Sequence, residues 1–156
     1  MAEWTSVAVQ TVNPGESIVF TENPDRCTRG FVRSREGSGN FLLSGWTPNT
    51  GCRCRCCGDP SAKYAIDFGA NIAIPEGGTV GEISVAFALD GGTLADTVMR
   101  VTPAAVGEYF NVSREAGVSV WKGCCQTLTI RNTSDQPILV QNANIVFSRP
   151  DLQVTR

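Results

Sequence analysis

Apolar and polar residues alternate along much of this 156-residue chain. The alternation is clearest at 83–90, where every odd position carries a large apolar side chain. Successive side chains of a β-strand point to opposite faces, so this pattern predicts a strand with one buried face. Runs rich in Val, Ile, Phe and Thr predict further strands at 6–12, 17–20, 40–43, 64–68, 98–101, 118–121, 128–131 and 138–147.

Turn-forming residues separate the predicted strands, as in Asn13-Pro14-Gly15 and Asp90-Gly91-Gly92. Every proline is expected to fall between strands, because proline cannot donate to a sheet ladder. No long stretch shows the 3.6-residue period of an amphipathic helix. The sequence therefore predicts an all-β fold, a two-sheet jelly-roll sandwich of about 8–10 strands.

One domain is expected to span residues 1–156, since a chain of this length can bury about 68% of its unfolded surface in a single core. The 42% apolar and 18% charged residues are typical of a globular domain. The stretch at about 44–63 contains Gly, Pro, Asn and four of the seven cysteines. We predict an irregular Cys-rich loop there.

The formal net charge of −2 gives no overall field that would attract nucleic acid or anionic lipid. No apolar run approaches the roughly 20 residues that span a bilayer, and the first residues lack the basic and apolar regions of a signal peptide. We therefore expect no nucleic-acid partner, no membrane partner and no leader segment.

The chain contains no histidine. This removes the commonest general base, the commonest metal ligand and the Ser-His-Asp and Cys-His arrangements. Carboxylates such as Asp25, Asp90 and Asp135 stand singly at predicted strand ends and turns, where solvation and turn capping explain them. We predict a protein that is not an enzyme, with no catalytic residues and no cofactor.

Seven cysteines are the richest chemical feature of the sequence. A disulfide that closes a loop of about 70 residues would add about 4 kcal/mol in the chain-entropy model. Because seven is odd, at least one cysteine stays free if all bridges are intrachain. Reduced structural thiols and a zinc site formed by Cys54, Cys57, Cys124 and Cys125 are the alternatives. The disulfide candidates are Cys27, Cys52, Cys54, Cys56, Cys57, Cys124 and Cys125.

Arginine is concentrated within residues 26–55, where Glu36 is the only acidic residue. Such a segment is either a solvated charged face or a docking patch for an acidic protein surface. The candidate patch consists of Arg26, Arg29, Arg33, Arg35, Arg53 and Arg55.

Large aromatic residues are interpreted first as core or subunit-interface residues, because they bury the most apolar area. This interpretation covers Trp4, Trp121, Tyr109 and Phe110. Trp46 falls in the predicted loop region, so for this residue a carbohydrate-stacking role is the alternative.

Seven segments carry a likeness to a known group: RGFV at 29–32, REGSG at 35–39, NIAIPEGGTVG at 71–81, VTPAAV at 101–106, EYFNV at 108–112, GCC at 123–125 and VQNAN at 140–144. Together they resemble small proteins encoded among the structural genes of tailed phages and prophages of Gram-positive anaerobes. The likeness extends from about residue 4 to residue 149, and the cysteine cluster at 52–57 is denser than in that group.

This resemblance implies a sandwich similar to the tumour necrosis factor (TNF) and complement globular-head class, assembled as a homotrimer. The implied function is a virion structural protein, a capsid decoration or a head-fibre or appendage module that binds the major capsid or another virion protein after synthesis in the host cytoplasm. Two further hypotheses are a glycan- or receptor-binding module of a phage or cell surface and a small thiol- or metal-binding protein.

Overall fold

The computed structural model describes residues 1–25, 31–34, 37–48 and 60–152. These residues form two single-turn 3-10 helices, Ala95–Thr97 and Pro150–Leu152, and no helix among them is long and apolar enough to cross a membrane. They also form twelve strands: β1 (Ala2–Ser6), β2 (Gln10–Val12), β3 (Glu22–Asp25), β4 (Val32–Ser34), β5 (Phe41–Ser44), β6 (Ser61–Ala73), β7 (Ile83–Leu89), β8 (Gly92–Thr93), β9 (Met99–Val101), β10 (Phe110–Trp121), β11 (Cys125–Asn132) and β12 (Ile138–Ser148).

The strands build two six-stranded antiparallel sheets. The first sheet has the order β10-β6-β12-β1-β3, and β2 also pairs with β12. The second sheet has the order β4-β5-β11-β7-β8, and β9 also pairs with β7. The predicted all-β two-sheet sandwich is therefore confirmed. Its strand count exceeds 8–10 partly because the predicted strand at 6–12 is divided between β1 and β2.

An aromatic cluster fills one part of the core between the sheets. The ring of Phe41, a fully buried residue of β5, lies 5.1 Å from Trp4, 5.4 Å from Phe20 and 4.9 Å from Phe147 between centroids. Trp4 and Phe147 come from the first sheet, so these contacts join the two layers. Burying large rings in tilted and edge-to-face pairs stabilises a sandwich more than their area alone would.

β6 and β10 form the longest ladder, which runs from Phe110 paired with Ile72 to Trp121 paired with Ser61. The sequence pattern predicted only 64–68 and 118–121 from this ladder. The remaining part of β10 carries several consecutive exposed residues, so it lacks the alternation that marks a half-buried strand.

Pro24 lies inside β3, so the expectation that every proline falls between strands is wrong at this position. β3 is the last strand of the first sheet. A proline is tolerated in an edge strand because its missing N–H can face solvent rather than a neighbouring strand.

The predicted Cys-rich loop at about 44–63 is described only at its two ends. Ser44 ends β5, and β6 begins at Ser61, so 61–63 belong to a strand. Residues 49–59 lie outside the described residues.

Candidate functional site

Cys124 and Cys125 are the cysteines that the described structure contains, and both are exposed free thiols. Consecutive Cα atoms lie about 3.8 Å apart across a trans peptide, which is less than the roughly 4.4–6.8 Å of a disulfide. No peptide bond among the described residues is cis. Neither thiol takes part in a disulfide among the described residues.

The other cysteine predictions concern Cys27, Cys52, Cys54, Cys56 and Cys57, which lie outside the described residues. Within the described ranges, no three His, Cys, Asp or Glu side chains group into a metal site. The disulfide and zinc hypotheses both stay predictions.

Arg33 is the member of the predicted docking patch that the structure describes. It is exposed on β4, at one edge of the second sheet. Arg26, Arg29, Arg35, Arg53 and Arg55 lie outside the described residues, so the docking patch stays a prediction.

The three tryptophans lie in different environments. Trp4 is a core residue, whereas Trp46 is 52% exposed and Trp121 is 68% exposed. Tyr109 and Phe110 are each 37% exposed. The core interpretation therefore holds for Trp4, and the other four side chains are exposed enough to contact a partner or a ligand.

Trp46 lines an open cleft with a volume of about 570 Å³. One wall follows the end of β5, and the other is the turn between β10 and β11. A cleft of this size falls in the range of small-molecule sites. Its lining residues are Ser44, Trp46, Thr47, Lys122, Gly123 and Cys124.

Gly45 holds the two walls of this cleft together. Its N–H donates to the carbonyl of Cys124 at 2.9 Å, and the N–H of Cys124 donates to the carbonyl of Trp121 at the same distance. A Cβ at position 45 would collide with the Trp121 carbonyl oxygen. The absence of a side chain at Gly45 therefore permits the close approach on which the cleft depends.

The indole of Trp46 is held by several contacts on its protein side. It stacks on Phe31 with 5.4 Å between ring centroids and 24° between the planes. The backbone N–H of Trp46 donates to Ser44 Oγ at 3.2 Å, and its carbonyl accepts a bond from Arg149 Nη2 at 3.1 Å. Trp46 is thus a positioned aromatic side chain with about half of its surface open to solvent.

Beneath Trp46, Arg149 and Asp151 form a buried ion pair. Arg149 Nε lies 2.8 Å from Asp151 Oδ1, and Nη2 lies 2.7 Å from Oδ2, which is the two-pronged geometry that arginine favours. Only 6% and 5% of the two side chains are exposed. The guanidinium carbon also lies 4.8 Å from the Phe31 ring centroid and 4.9 Å from that of Tyr64, within cation–π distance.

The pKa values of these groups reflect competition between burial and pairing. Burial raises the pKa of Asp151, but bonds from Arg149 and from the Lys63 N–H outweigh burial, so its pKa lies below the ordinary aspartate value. Burial likewise lowers the pKa of Arg149, yet its bond to Asp151 leaves this pKa raised. For Tyr64 burial prevails, and its pKa is raised. The pair is charged, and the phenol is neutral, at neutral pH.

This ion-pair cluster was not predicted from the sequence. Its members come from distant positions in the sequence. Tyr64, for example, has its hydroxyl within hydrogen-bonding distance of the carbonyls of Phe31 and Ser44. The sequence signal that could have indicated the pairing of Arg149 with Asp151 is their separation by a single residue.

A second cleft, of about 640 Å³, lies between the loop before β7 and the loop between β11 and β12. It is polar and internally bonded: Gln136 makes two hydrogen bonds with the Thr79 backbone, and the hydroxyls of Ser84 and Thr133 lie 2.6 Å apart. Glu82 and Asp135 line it, and no aromatic residue does. The cleft lacks a stacking surface.

After the two clefts, the third candidate site is the edge of β10 that is unpaired in the described structure, where β10 is the end strand of the first sheet. Eight of its twelve residues are exposed, and among the described residues β10 pairs with β6 alone. Phe110 and Trp121 stand at its two ends, and Tyr109 immediately precedes it. Arg114 shares the parity of the buried Val112 yet is exposed, and an inward-side charge of this kind discourages strand addition.

Comparison with known proteins supports the fold. The chain is similar to Eiger TNF from S. frugiperda, with 10% identity over 99% of this chain and 93% of that chain and a TM-score of 0.65. It is also similar to the globular domain of zebrafish complement 1qA protein, with 10% identity over 93% and 94% of the two chains and a TM-score of 0.57. A family 35 carbohydrate-binding module from an environmental isolate has 10% identity over 96% and 94%, but its TM-score of 0.38 is too low to support an inference.

No protein-family model and no curated protein matches the sequence. At such low identities a structural likeness establishes the fold and not the activity. Together with the two six-stranded sheets, the comparisons show that this chain folds as a TNF-like jelly-roll sandwich.

Proposed function

We propose that this chain is a non-enzymatic structural module that assembles as a homotrimer through the β10 side of its first sheet. The observation that carries the proposal is the exposure of aromatic side chains at both ends of this edge strand, with Tyr109 and Phe110 at one end and Trp121 at the other. Large aromatic side chains are candidates for burial against a neighbouring protomer, because each buries much apolar area.

The chemistry of this edge favours packing through side chains. Tryptophan and tyrosine are enriched at the energetic centres of protein interfaces, because they bury much area with few rotatable bonds. Arg114 disfavours pairing of β10 with a foreign strand. A neighbouring protomer would therefore cover the aromatic side chains without extending the sheet.

The outer face of the first sheet beside β10 allows a close approach by a neighbour. Gly117 of β10 lies opposite Ala65 of β6, and Ala65 lies opposite Ser148 of β12. Ser113 lies opposite Gly69 in the same ladder. The exposed carboxylates of Glu115 and Asp67 lie opposite each other between these two small pairs, so the close approach is limited to the two small pairs themselves. Three-fold assembly is supported by the resemblance to trimeric heads.

The proposed location is a virion, where the trimer would serve as a capsid decoration or as a head-fibre or appendage module. This step rests on the segments that resemble phage and prophage structural proteins. Mass spectrometry of purified particles from an induced prophage that carries this gene is the direct test. Several copies of the chain per particle are expected, and a chain found only outside particles would contradict the assignment.

Assembly is tested by a double variant, Phe110→Ser with Trp121→Ser, studied by sedimentation velocity over a range of concentrations. The variant is expected to sediment as a folded monomer where the wild type sediments as a trimer. Val80→Ser is the matched control, because Val80 is 51% exposed but lies at the polar cleft. A double variant that remains trimeric would exclude the β10 edge as the interface.

A second candidate function is glycan binding, and the position of Trp46 favours it. A half-exposed indole that lines a cleft can stack against the apolar face of a sugar ring. A glycan array with wild-type protein and with Trp46→Ala tests this candidate. Signals that depend on Trp46 are expected, and an array without signals would contradict it.

A further inference from the structure

We propose that the Trp46 cleft selects acidic saccharides, with a sugar ring stacked on Trp46 and its carboxylate paired with the ammonium group of Lys122. This inference rests on the second candidate function and adds the class of ligand. It concerns the cleft lined by Ser44, Trp46, Thr47, Lys122, Gly123 and Cys124.

The stacking platform is already in place without a ligand. Phe31 supports the indole from one side, and hydrogen bonds fix the Trp46 backbone at both its N–H and its carbonyl. A ligand therefore does not have to order this side chain when it binds. Prior ordering of this kind reduces the entropic cost of association.

Among the described residues that line the cleft, Lys122 is the charged one, and no carboxylate of the described chain lines it. Within the described structure Lys122 makes no ion pair, because the pairs found there are Arg100 with Glu82 and Arg149 with Asp151. An ammonium group that has no ion-pair partner in the described ranges, beside an aromatic platform, favours an anionic ligand over a neutral one.

The backbone of Lys122 is fixed relative to the platform. Its N–H donates to the carbonyl of Pro60 at 2.9 Å, and the turn that follows is closed by the bond from Cys124 N–H to the Trp121 carbonyl. Gly45 joins this turn to the Trp46 wall. The spacing between the cation and the ring thus varies only through the flexible lysine side chain.

Ser44 adds a hydroxyl group to the lining, and its Oγ already accepts the N–H of Trp46. A hydroxyl can also donate to a ring hydroxyl of a sugar. Thr47 lines the cleft too, but it is buried and already has an interaction of its own. The volume of about 570 Å³ falls within the range of small-molecule sites. A short acidic oligosaccharide meets these requirements of shape, stacking and charge.

The polar cleft on the loops before β7 and between β11 and β12 provides an internal contrast. It has hydroxyl and amide groups and a similar volume, but its charged residues are Glu82 and Asp135. It also has no aromatic lining residue. The indole and the cation on which the proposal depends therefore occur together at the Trp46 cleft and not at the polar cleft, as far as the described lining residues extend.

The test is isothermal titration of the full chain with trigalacturonic acid and with maltotriose, a neutral trisaccharide. At low salt we expect trigalacturonic acid to bind at least about tenfold more tightly, with the preference declining as salt is added. Lys122→Gln is expected to remove the preference, and Trp46→Ala is expected to abolish binding of both sugars. Lys63→Gln is the matched control, because Lys63 is exposed on neighbouring β6 and does not line the cleft.

The outcomes separate this inference from the function on which it rests. Equal binding of both sugars that depends on Trp46 would overturn the acidic selectivity and leave glycan binding intact. A preference that survives in Lys122→Gln would also overturn the role of Lys122. If neither sugar binds the wild type and the glycan array is also blank, both the inference and the glycan-binding candidate fail. Circular dichroism of each variant confirms folding.

Discussion

The Arg149 cluster and the β10 edge both place side chains in environments that cost free energy. At the Arg149 cluster charged groups are buried, whereas at the β10 edge aromatic rings are exposed to water. At the cluster, a charged pair is buried and nearly all of its polar atoms have partners inside the chain; Arg149 Nη1 is a buried atom without a partner among the described residues. At the edge, Tyr109, Phe110 and Trp121 are left open to solvent. The two charged groups of the first region pair within one chain, whereas the aromatic side chains of the second region are covered only in the assembly that we propose.

This difference indicates what each region contributes. A buried ion pair formed within one chain affects the stability of the single protomer, and its effect does not depend on protein concentration. If the β10 aromatics form the proposed interface, they affect association, which depends on concentration by mass action. Variants in the two regions should therefore separate stability from assembly.

The largest expected effect is that of Arg149→Met. Removing the cation leaves Asp151 buried and without its partner, so the free energy of unfolding should fall by about 3–5 kcal/mol. Urea denaturation measures this loss. Arg100→Met is the control, because the exposed pair of Arg100 with Glu82 should contribute less than about 1 kcal/mol. Equal losses in the two variants would contradict the account of the cluster.

The next effect is that of Trp121→Ser on association. Loss of an aromatic anchor at an interface typically costs about 2 kcal/mol, which is roughly 30-fold in the dissociation constant. The midpoint of thermal unfolding should rise with protein concentration in the wild type and much less in the variant. A midpoint that does not change with concentration in the wild type would remove the reason to assign an interface to β10.

A smaller effect is expected from acid. The pKa of Asp151 is lower in the folded chain than its ordinary value of 3.8, so the native state binds fewer protons than the unfolded state just below that value. The contribution of Asp151 to stability is therefore present above pH 3.8 and is lost as the pH falls through the lower folded pKa. Denaturation from pH 7 to pH 2 measures this dependence, and Asp151→Asn should show a shallower acid decline; an unchanged slope would contradict it.

The smallest effect is expected at the opposite end of the same sheet. β3 is four residues long and contains Pro24, which blunts this edge against further pairing. Pro24→Ala should change stability by less than about 0.5 kcal/mol and should leave the native mass unchanged. New oligomers in this variant, detected by sedimentation, would show that Pro24 actively guards the edge; a lower mass would place the interface at β3 instead of β10.

Much of the fold was predictable from the sequence, because half-buried strands carry their own pattern. The bounds of β7, from Ile83 to Leu89, match the predicted strand closely. The prediction of a single buried face is wrong there, because the small side chains at the even positions, Ser84, Ala86 and Ala88, are buried as well. The first half of β10 was missed, since an edge strand with exposed residues on both faces has no alternation to detect. Pro24 was wrongly expected to lie between strands, because the sequence does not show which strand will be at the edge of a sheet, where proline is tolerated.

The sites were less predictable, because they depend on residues far apart in the chain. The sequence singled out Trp46 by its place in an irregular region, and the structure adds Lys122 from a turn 76 positions away as its neighbour in the cleft. The packing of Arg149 against Phe31 and Tyr64 likewise follows from strand order and register, which local patterns do not encode. The sequence shows which residue types are present, but it does not show which of them lie next to each other in the fold.

The most direct test of the central claim is the native mass of the purified chain by multi-angle light scattering, with and without reductant. A trimer held together by packing of side chains along β10 has three times the chain mass of 16.7 kDa, and we expect this mass in both conditions. A mass of one chain at high concentration would contradict assembly. A trimer that falls apart in reductant would contradict the β10 interface and assign the contact to the cysteines.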